Sequence, residues 1–237
     1  MHILIIHAHN ESQSFNTAMT NLAVVELCAL GHCVEISDLY AMKWNPIASA
    51  ADFGSRANPE YLSYALEQRH NYSQHTLAPD IQGELDKLLK ADLVIFNFPI
   101  YWFSMPAIMK GWIDRVLISG VCYGGKRFYD QGGLVGKKAM LTVTIGGQSH
   151  MLTKDGVHGE LNDMLRPILR GTLAYTGMAV LPTFVAHHVP YISHEARVAL
   201  LEQYRQHLRS LDTFQTLTSV SLNEFDEKLH PISAPNN

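Results

Sequence analysis

The sequence lacks the features that define several large classes of protein. None of its apolar runs approaches the roughly 18 consecutive residues that a membrane-spanning helix requires. It has only three cysteines, Cys28, Cys33 and Cys122, and no C-x-x-C pair, which predicts a reducing compartment and no disulfide framework. Charged residues make up 17% of the chain and the formal net charge is -4, which argues against a general binder of nucleic acid or acidic membranes.

Several catalytic and binding motifs are absent as well. No G-x-G-x-x-G follows the first strand-like segment, so a Rossmann NAD site is disfavoured. The chain has no G-x-S-x-G elbow for a nucleophilic serine, and no H-E-x-x-H or paired Cys/His spacing for zinc. We therefore interpret His7, His187 and His188 as structural residues and predict no metal site.

The start of the chain bears on where the protein works. Met1 is followed directly by the strand-like residues 3–6, without a basic segment or an A-x-A cleavage site, so we expect no signal peptide. Together with the few cysteines, this predicts a cytoplasmic protein. Hydrophobic residues make up 47% of the 237 residues, which is typical of one well-cored domain. We assign residues 1–212 to that domain and expect residues 213–237 to form a loosely attached tail.

Apolar runs and amphipathic segments alternate along the chain. The runs predict five buried strands, at residues 3–6, 33–37, 93–98, 139–145 and 178–185. The other segments predict helices, one ending near residue 30 and the rest near residues 61–69, 80–89, 106–116, 160–175 and 193–211. Such alternation predicts an α/β fold, with a doubly wound, five-stranded parallel sheet and helices on both faces.

An aromatic loop lies between the third strand and the helix that follows it. Pro99 ends the strand, residues 100–105 read I-Y-W-F-S-M, and Pro106 stands where the first helical turn is expected to begin. In open α/β sheets, ligands bind at this edge. Trp102 and Phe103 could simply cap the core, but a flat heteroaromatic ligand needs both ring contacts and backbone amide donors, and this loop offers both. The loop therefore favours a flavin site.

Two further loops are predicted at the same edge. The polar residues 7–16 lead into the first helix, with Ser12 or Ser14 as its N-cap, and the amides at such a helix start are suited to binding an anion. Gly146 and Gly147 follow the fourth strand, where paired glycines let the backbone approach a ligand closely. Three loops that meet at one edge are difficult to attribute to coincidence.

These loops resemble, one after another, those of the NAD(P)H:quinone oxidoreductases of the DT-diaphorase type, which are flavodoxin-like FAD enzymes. The strongest segment is F-P-I-Y-W-F-S-M-P-A-I-M-K-G-W-I-D-R-V, at residues 98–116. The similarity continues at collinear spacing over roughly residues 1–211, including N-P-I at residues 45–47 and G-V-H-G at residues 156–159. The resemblance implies a flavodoxin-like fold, FAD rather than FMN, NAD(P)H as co-substrate, and a homodimer with its site at the subunit interface.

The resemblance also implies which residues contact the cofactor. The residues that correspond to the family's pyrophosphate site are His9, Ser14, Phe15 and Asn16. Those that correspond to the lining of the isoalloxazine ring are Pro99, Ile100, Trp102 and Phe103. Those of a second ring-contacting loop are Thr144, Ile145, Gly146 and Gly147. Arg197, within S-H-E-A-R, corresponds to a basic residue placed by the adenine half.

His158, within G-V-H-G, is the candidate catalytic residue. In the family, the corresponding histidine lies over the flavin and steadies charge on the reduced ring, a role that suits an imidazole because it titrates near neutrality. The family pairs this histidine with a tyrosine six residues upstream, at the cofactor, where this chain has Leu152. Either His158 works without that phenol, or Tyr123 or Lys154 contributes, or turnover is slower.

The acceptor pocket departs from the family too. Tyr123, like His158, corresponds to a residue of that pocket, but a second aromatic residue two positions on is replaced by Gly125. The resemblance therefore implies a pocket that is wider than usual. Asp114 and Arg115, on the helix after the aromatic loop, are expected to form a helix-surface pair or to lie at a subunit contact.

The sequence thus predicts an FAD-dependent NAD(P)H:quinone oxidoreductase. Hydride would pass from NAD(P)H to the flavin, and the acceptor would then occupy the same place and take two electrons, so the kinetics should be ping-pong. Two alternatives stay open. One is an FMN-dependent azo- or nitroaromatic reductase of the same fold, and the other is a flavin-binding regulatory subunit of an ion-efflux system.

Overall fold

The computed structural model describes residues 1–217 and 220–232, and a parallel sheet lies at its centre. The strands are β1 (His2–His7), β2 (Cys33–Asp38), β3 (Leu93–Pro99), β4 (Lys138–Ile145), β5 (Ala179–Val180) and β6 (Phe184–His187). Their order is β2-β1-β3-β4-β5, and β6 also pairs with β4. All pairs are parallel. This is the doubly wound, flavodoxin-like order, so the predicted fold class is confirmed.

The fifth predicted strand is interrupted. Instead of one strand over residues 178–185, β5 and β6 pair with β4 on either side of residues 181–183. Pro182, in the middle of this break, has no N–H to donate to a sheet ladder, which explains why pairing stops there and resumes at Phe184.

Helices cover both faces of the sheet. They are α1 (Phe15–Ala29), α2 (Tyr64–Gln74), α3 (Pro79–Lys90), α4 (Ala107–Val116), α5 (Leu161–Met164), α6 (Arg166–Ile168) and α7 (His194–Arg209). Successive side chains of β1 point to opposite faces, so Ile3 and Ile5 pack with α1 and α7, whereas Leu4 and Ile6 pack with α3 and α4. None of the described helices is long and apolar enough to cross a membrane.

Two predicted helices differ from the structure in ways that the local sequence explains. The helix predicted over residues 160–175 is divided into α5, α6 and a π-helix at Leu169–Ala174, because Pro167 removes one backbone donor near its middle. The helix predicted near residues 61–69 occupies Tyr64–Gln74 and ends at His75, which is left-handed with φ at 57°.

Arg115 is buried, so the prediction that it belongs to a surface pair or subunit contact is wrong. Its guanidinium is 2.8 Å from a carboxylate oxygen of Asp52 and 2.7 Å from one of Asp80, and it stacks over the ring of Trp44 at 4.6 Å. Only 3% of the side chain is exposed. These contacts fasten the long irregular segment after β2 to α4, because Asp52 and Trp44 both belong to that segment. Asp114 does lie at the surface, paired with Lys110.

The tail is anchored rather than loosely attached over the part that the structure describes. The ring of Phe214 packs on His207 at 4.5 Å between centroids. The N–H of Leu217 donates to the carbonyl of Val180 at 2.7 Å, at the outer strand of the sheet. Further on, the tail is hydrogen-bonded to Asp130. Residues 218–219 and 233–237 lie outside the described residues, and the boundary at residue 212 stays a prediction.

Candidate functional site

Four loops meet at one edge of the sheet. The strands β1, β3, β4 and β6 end side by side, since the register pairs His7 with Asn97, Pro99 with Thr144, and Ile145 with His187. The three loops predicted from the sequence all leave from this carboxyl edge. A fourth loop, residues 188–193, joins them between β6 and α7. Ligands bind at this edge in doubly wound sheets.

The aromatic loop after β3 holds two residues in a strained backbone conformation. Tyr101 and Ser104 exchange two backbone hydrogen bonds of 3.0 and 2.9 Å. Between them, Trp102 and Phe103 are both left-handed, with φ at 52° and 55°. That region is costly for bulky side chains, and such strain concentrates at functional sites. Trp102 is 98% exposed, so the fold presents a large aromatic surface instead of burying it.

A buried polar network lies beneath these loops and links three of them. The side-chain amide of Asn16 donates to the side-chain oxygen of Asn97 at 2.9 Å, and the oxygen of Asn16 accepts from the hydroxyl of Thr144 at 2.7 Å. The N–H of Ile100 donates to the carbonyl of Thr144 at 2.8 Å. The side-chain amide nitrogen of Asn97 has no hydrogen-bond partner within the described residues. The network fixes the start of α1 and the ends of β3 and β4 relative to one another.

The N-terminus of α1 is arranged to receive an anion. Ser14, rather than Ser12, is its N-cap, because its hydroxyl accepts from the N–H of Thr17 at 3.1 Å. The first intrahelical bond runs from Ala18 to Ser14, so the N–H groups of Phe15 and Asn16 precede it. Nearby, His9 accepts from the N–H of Glu11 at 3.0 Å, and partial burial lowers the pKa of His9. The ring of His9 therefore shapes the loop as a neutral acceptor.

A groove runs from this helix start along α7. It has a volume of about 410 Å³, and its walls include Gln13, Ser14, Phe15, Pro190, His194 and Arg197. Arg197 is held there by a hydrogen bond of 3.3 Å from its Nε to the carbonyl of Val189. The structure thus brings Arg197 into the same groove as Ser14 and Phe15, about 180 residues away in sequence. An elongated anionic ligand could occupy the helix start and the groove together.

The loop after β4 leaves space at its two glycines, and the chain beyond it places His158 against the aromatic loop. A Cβ added to Gly146 or Gly147 would meet nothing closer than 3.9 Å. The ring of His158 lies 5.3 Å from that of Phe103, and the backbone N–H of His158 donates to the carbonyl of Met151 at 2.9 Å. Leu152, which replaces the family tyrosine, is buried in the core. It offers no hydroxyl, so the exposed imidazole of His158 stands beside the aromatic loop without a phenol from that position.

Tyr123 and Gly125 are not brought to this edge within one chain. They belong to the segment that follows α4, whereas the aromatic loop precedes it, and the ten residues of α4 span about 15 Å. Tyr123 packs on Tyr175 instead, with ring centroids 5.9 Å apart. Tyr123 and Gly125 therefore lie at the opposite end of α4 from Trp102.

His188 and Tyr191, which were not predicted to belong to the site, also contribute to this edge. The Nδ1 of His188 is 2.8 Å from the carbonyl oxygen of Gly146, and its ring packs on Tyr191 with centroids 4.9 Å apart. Tyr191 is 72% exposed and approaches Gly146. The ring of His188 thus lies at the candidate site, and its interpretation as a structural residue stays a prediction. The sequence did contain a signal for this loop, because the loop follows a parallel strand. No signal in the sequence indicated that Asn97 takes part in the hydrogen-bond network.

Three histidines make the fold sensitive to acid. Burial lowers the pKa of His7, whose ring is held by the hydroxyls of Thr17 and Thr20 beneath α1. Burial also lowers the pKa of His187 and of His207. Because each native pKa lies below its unfolded value, the unfolded chain takes up protons first. The stabilisation is therefore full above about pH 6.5 and is lost as the pH falls below it.

We accordingly expect the urea midpoint of the apoprotein to fall when the pH is lowered from about 7.5 to about 5.5. Carboxylates whose pKa is lowered, such as that of Asp52, destabilise the fold only at more acidic pH, so they do not obscure this window. Equilibrium unfolding followed by tryptophan fluorescence measures the midpoint. A midpoint that stays constant across the window would contradict the assignment of these histidines as buried and neutral.

Comparisons with known proteins bear on this geometry. Residues 1–208 match a family model described as the flavodoxin-like fold. The chain is 44% identical over 210 residues to Homo sapiens ribosyldihydronicotinamide dehydrogenase (quinone), covering 88% of this chain and 91% of that protein. It is 42% identical over 209 residues to Rattus norvegicus NAD(P)H dehydrogenase (quinone) 1, covering 88% of this chain and 76% of that protein.

Solved structures extend the comparison to three dimensions. A candidate quinone reductase from Klebsiella pneumoniae superposes with a TM-score of 0.89 at 38% identity, covering 97% of this chain and 90% of that one. General stress protein 14 from Treponema denticola, solved in complex with FMN, superposes with a TM-score of 0.63 at 25% identity, covering 90% of this chain and 99% of that one. This chain and these two proteins therefore share the arrangement of strands and helices over most of their length.

Proposed function

The chain belongs to the flavodoxin-like family, and within it to the quinone dehydrogenases, and from this membership we propose that it is an FAD-dependent NAD(P)H:quinone oxidoreductase. One observation carries the proposal. The fully exposed Trp102, the glycine pair and the anion-ready start of α1 converge on one edge of the sheet. A planar ring with a pyrophosphate tether requires that combination of surfaces.

Each part of the edge has a distinct task in this proposal. Trp102 and Phe103 supply the aromatic wall, and the backbone at Gly146 and Gly147 lets the ring approach closely. The amides at the start of α1 hold the pyrophosphate, and Arg197 holds the adenine half in the groove along α7. When bound, the flavin supplies the hydride chemistry, accepting from NAD(P)H and giving two electrons to a quinone. The protein would hold the flavin and orient both substrates against it.

His158 is the proposed catalytic residue. Its imidazole stands beside Phe103, where it would steady negative charge on a bound flavin by donating a hydrogen bond or a proton. Because Leu152 offers no hydroxyl, the side chain of His158 works without the phenol that the family places there.

A homodimer is part of the proposal, and two observations support it. Tyr123 and Gly125 lie at the far end of α4, so a second copy is needed to bring them to a site on this chain. In addition, Ile47, Tyr61 and Leu66 are 68%, 70% and 59% exposed, and a second copy would cover such an apolar surface.

The absorbance spectrum of the purified protein and a stopped-flow mix with NADPH test the function. We expect a yellow protein that contains FAD and whose flavin absorbance bleaches on mixing and returns when a quinone is added. Bound flavin that is not bleached would favour a regulatory subunit instead. A colourless protein that takes up neither FAD nor FMN would overturn the proposal.

A second hydride donor belongs in the same experiment. The human relative is named for ribosyldihydronicotinamide, and its identity to this chain is as high as that of the NAD(P)H-dependent rat relative. Stopped-flow rates with NADH, NADPH and dihydronicotinamide riboside at equal concentrations show whether NAD(P)H or the riboside is the hydride donor. Bleaching by the riboside alone would replace NAD(P)H as the donor and leave the rest of the proposal intact.

Replacing Arg197 with alanine should separate FAD from FMN. Arg197 lies in the groove beyond the start of α1, so its loss should weaken FAD binding about tenfold, the usual cost of one hydrogen bond to a charged group, and leave FMN binding unchanged. Arg209→Ala is the matched control, because Arg209 is on the same helix but pairs with Glu26. Equal affinity of the unmodified protein for FAD and FMN would favour an FMN-dependent azo- or nitroaromatic reductase.

Replacing His158 with glutamine should slow flavin reduction by NADPH on the order of 100-fold, the lower range for a residue that handles charge or a proton in the transition state. The limiting rate in stopped flow measures this step directly. His150→Gln, in the same loop and also exposed, is the control and should change the rate little. An unchanged limiting rate in His158→Gln would remove His158 from the mechanism.

A further inference from the structure

We propose that Asp130 is a positioning residue through which the C-terminal tail sets the acceptor specificity of the enzyme. The carboxylate of Asp130 accepts from the hydroxyl of Ser221 at 2.8 Å and from the N–H of Leu222 at 3.1 and 3.2 Å. These contacts, here called the tail tether, join residues 91 and 92 positions apart. They rest on one side chain, because Ser221 and Leu222 both bind the same carboxylate.

The tether ends on the segment that carries the predicted acceptor-pocket residues. Asp130 directly follows Phe128 and Tyr129, whose rings lie 5.6 Å from the ring of Tyr175. Phe128 is stacked on Tyr175 with planes 8° apart, and the N–H of Tyr129 donates to the carbonyl of Tyr175 at 2.9 Å. Tyr123 packs on the same ring from 5.9 Å. Tyr123 and Asp130 are therefore joined by packed aromatic side chains.

The segment between these residues is closed on itself. The guanidinium of Arg127 donates to the carbonyls of Gly120 and Val121 at 3.1 and 3.2 Å. Gly124 and Arg127 exchange two backbone hydrogen bonds, of 3.2 and 3.1 Å. These bonds tie Arg127 to the first part of the segment, close to Tyr123. We therefore expect a release at Asp130 to be felt at Tyr123 and Gly125.

The inference rests on the proposed function, in which Tyr123 and Gly125 line the acceptor pocket. Releasing the tether should loosen the wall of that pocket while leaving His158 and the aromatic loop in place. The KM for a quinone should therefore rise about fivefold, the lower end of couplings between sites in one protein. The limiting rate of flavin reduction at saturating NADPH should stay unchanged, because residues 120–131 do not hold the ring.

Three variants of the full-length holoenzyme test this. Asp130→Ala removes every acceptor of the tether, whereas Asp130→Asn keeps one oxygen and should restore part of the quinone KM. Asp226→Ala is the matched control, since the contacts of the Asp226 carboxylate among the described residues lie within the tail, with the N–H groups of Lys228 and His230 and the ring of His230. Trypsin cleavage at the exposed Lys228 reports the state of the tail in each variant.

The expected result is faster tail cleavage and a raised quinone KM in Asp130→Ala, with an intermediate effect in Asp130→Asn and no rise in KM in Asp226→Ala. The proposal is overturned if the tail loosens and the KM does not change, if the tail does not loosen, or if Asp226→Ala raises the KM as much. Failure of the proposed function would look different, because the unmodified protein would then show no flavin bleaching with any nicotinamide donor.

Discussion

Replacing Arg115 with methionine is expected to lower the free energy of unfolding by about 3–5 kcal/mol, the loss that follows when one partner of a buried ion pair is removed. Burial opposes the ionisation of Asp52, and hydrogen bonds from Arg115 and Tyr64 overcome that effect and hold the pKa of the Asp52 carboxyl below its usual value. Without Arg115, the carboxylate would keep its desolvation cost and lose its main donor. The segment after β2 would then lose its ion pair to α4 and keep only packing contacts such as that of Pro46 on Gly111.

Urea denaturation at neutral pH measures this loss. Lys110→Met is the matched control, because Lys110 lies on the same helix and pairs with Asp114, but the two side chains are 59% and 44% exposed. An exposed pair of this kind contributes about 0–1 kcal/mol. If Arg115→Met and Lys110→Met lowered the free energy of unfolding by the same small amount, the buried pair of Arg115 and Asp52 would not be what holds the segment after β2.

Replacing Gly147 with alanine is expected to weaken flavin binding on the order of 10- to 100-fold while the apoprotein keeps its stability. In the chain alone, the added Cβ would be 3.9 Å from Leu152, which is ordinary contact, and Gly147 is not among the residues with positive φ. The cost should therefore arise only when a ring approaches the backbone, where overpacking typically costs about 1–3 kcal/mol. The same substitution thus separates folding from ligand binding.

Flavin titration of the apoprotein and its thermal midpoint are the two measurements. Gly83→Ala is the control, because Gly83 lies on α3 and an added Cβ there meets nothing within 4 Å. It should leave flavin binding unchanged. If Gly147→Ala bound flavin as tightly as the unmodified protein, the ring would not lie against this loop, and the placement of the cofactor would have to be revised.

The strands and the shared edge could be predicted from the sequence because their signals are local. A buried parallel strand such as residues 93–98 is a continuous apolar run, and its identity does not depend on distant residues. Parallel strands end at one edge, so the meeting of the loops that carry Asn16, Trp102 and Gly147 followed from the fold class. The N-cap could be narrowed only to Ser12 or Ser14, since choosing between them requires the hydrogen bond to Thr17.

The features that could not be predicted depend on contacts between residues that are far apart in the chain. Arg115 looks like a surface residue beside Asp114, and its burial is decided by Asp52, 63 residues away. The tail is polar, and its attachment depends on Asp130 and Val180, which nothing in its own composition indicates. Tyr123 matches a pocket residue of the family, but the structure places it at the far end of α4 from the aromatic loop, which its local sequence does not indicate.

The hydrogen bonds among Asn16, Asn97 and Thr144 join residues of the fold itself, so they need no ligand atom in order to form. The entropy of ordering the loops is therefore lost during folding and does not weaken cofactor association, which is the advantage of a preorganised cleft. Cofactor exchange should then resemble the docking of a small molecule into a rigid receptor, and stripped protein should regain its colour without a denaturation and renaturation cycle.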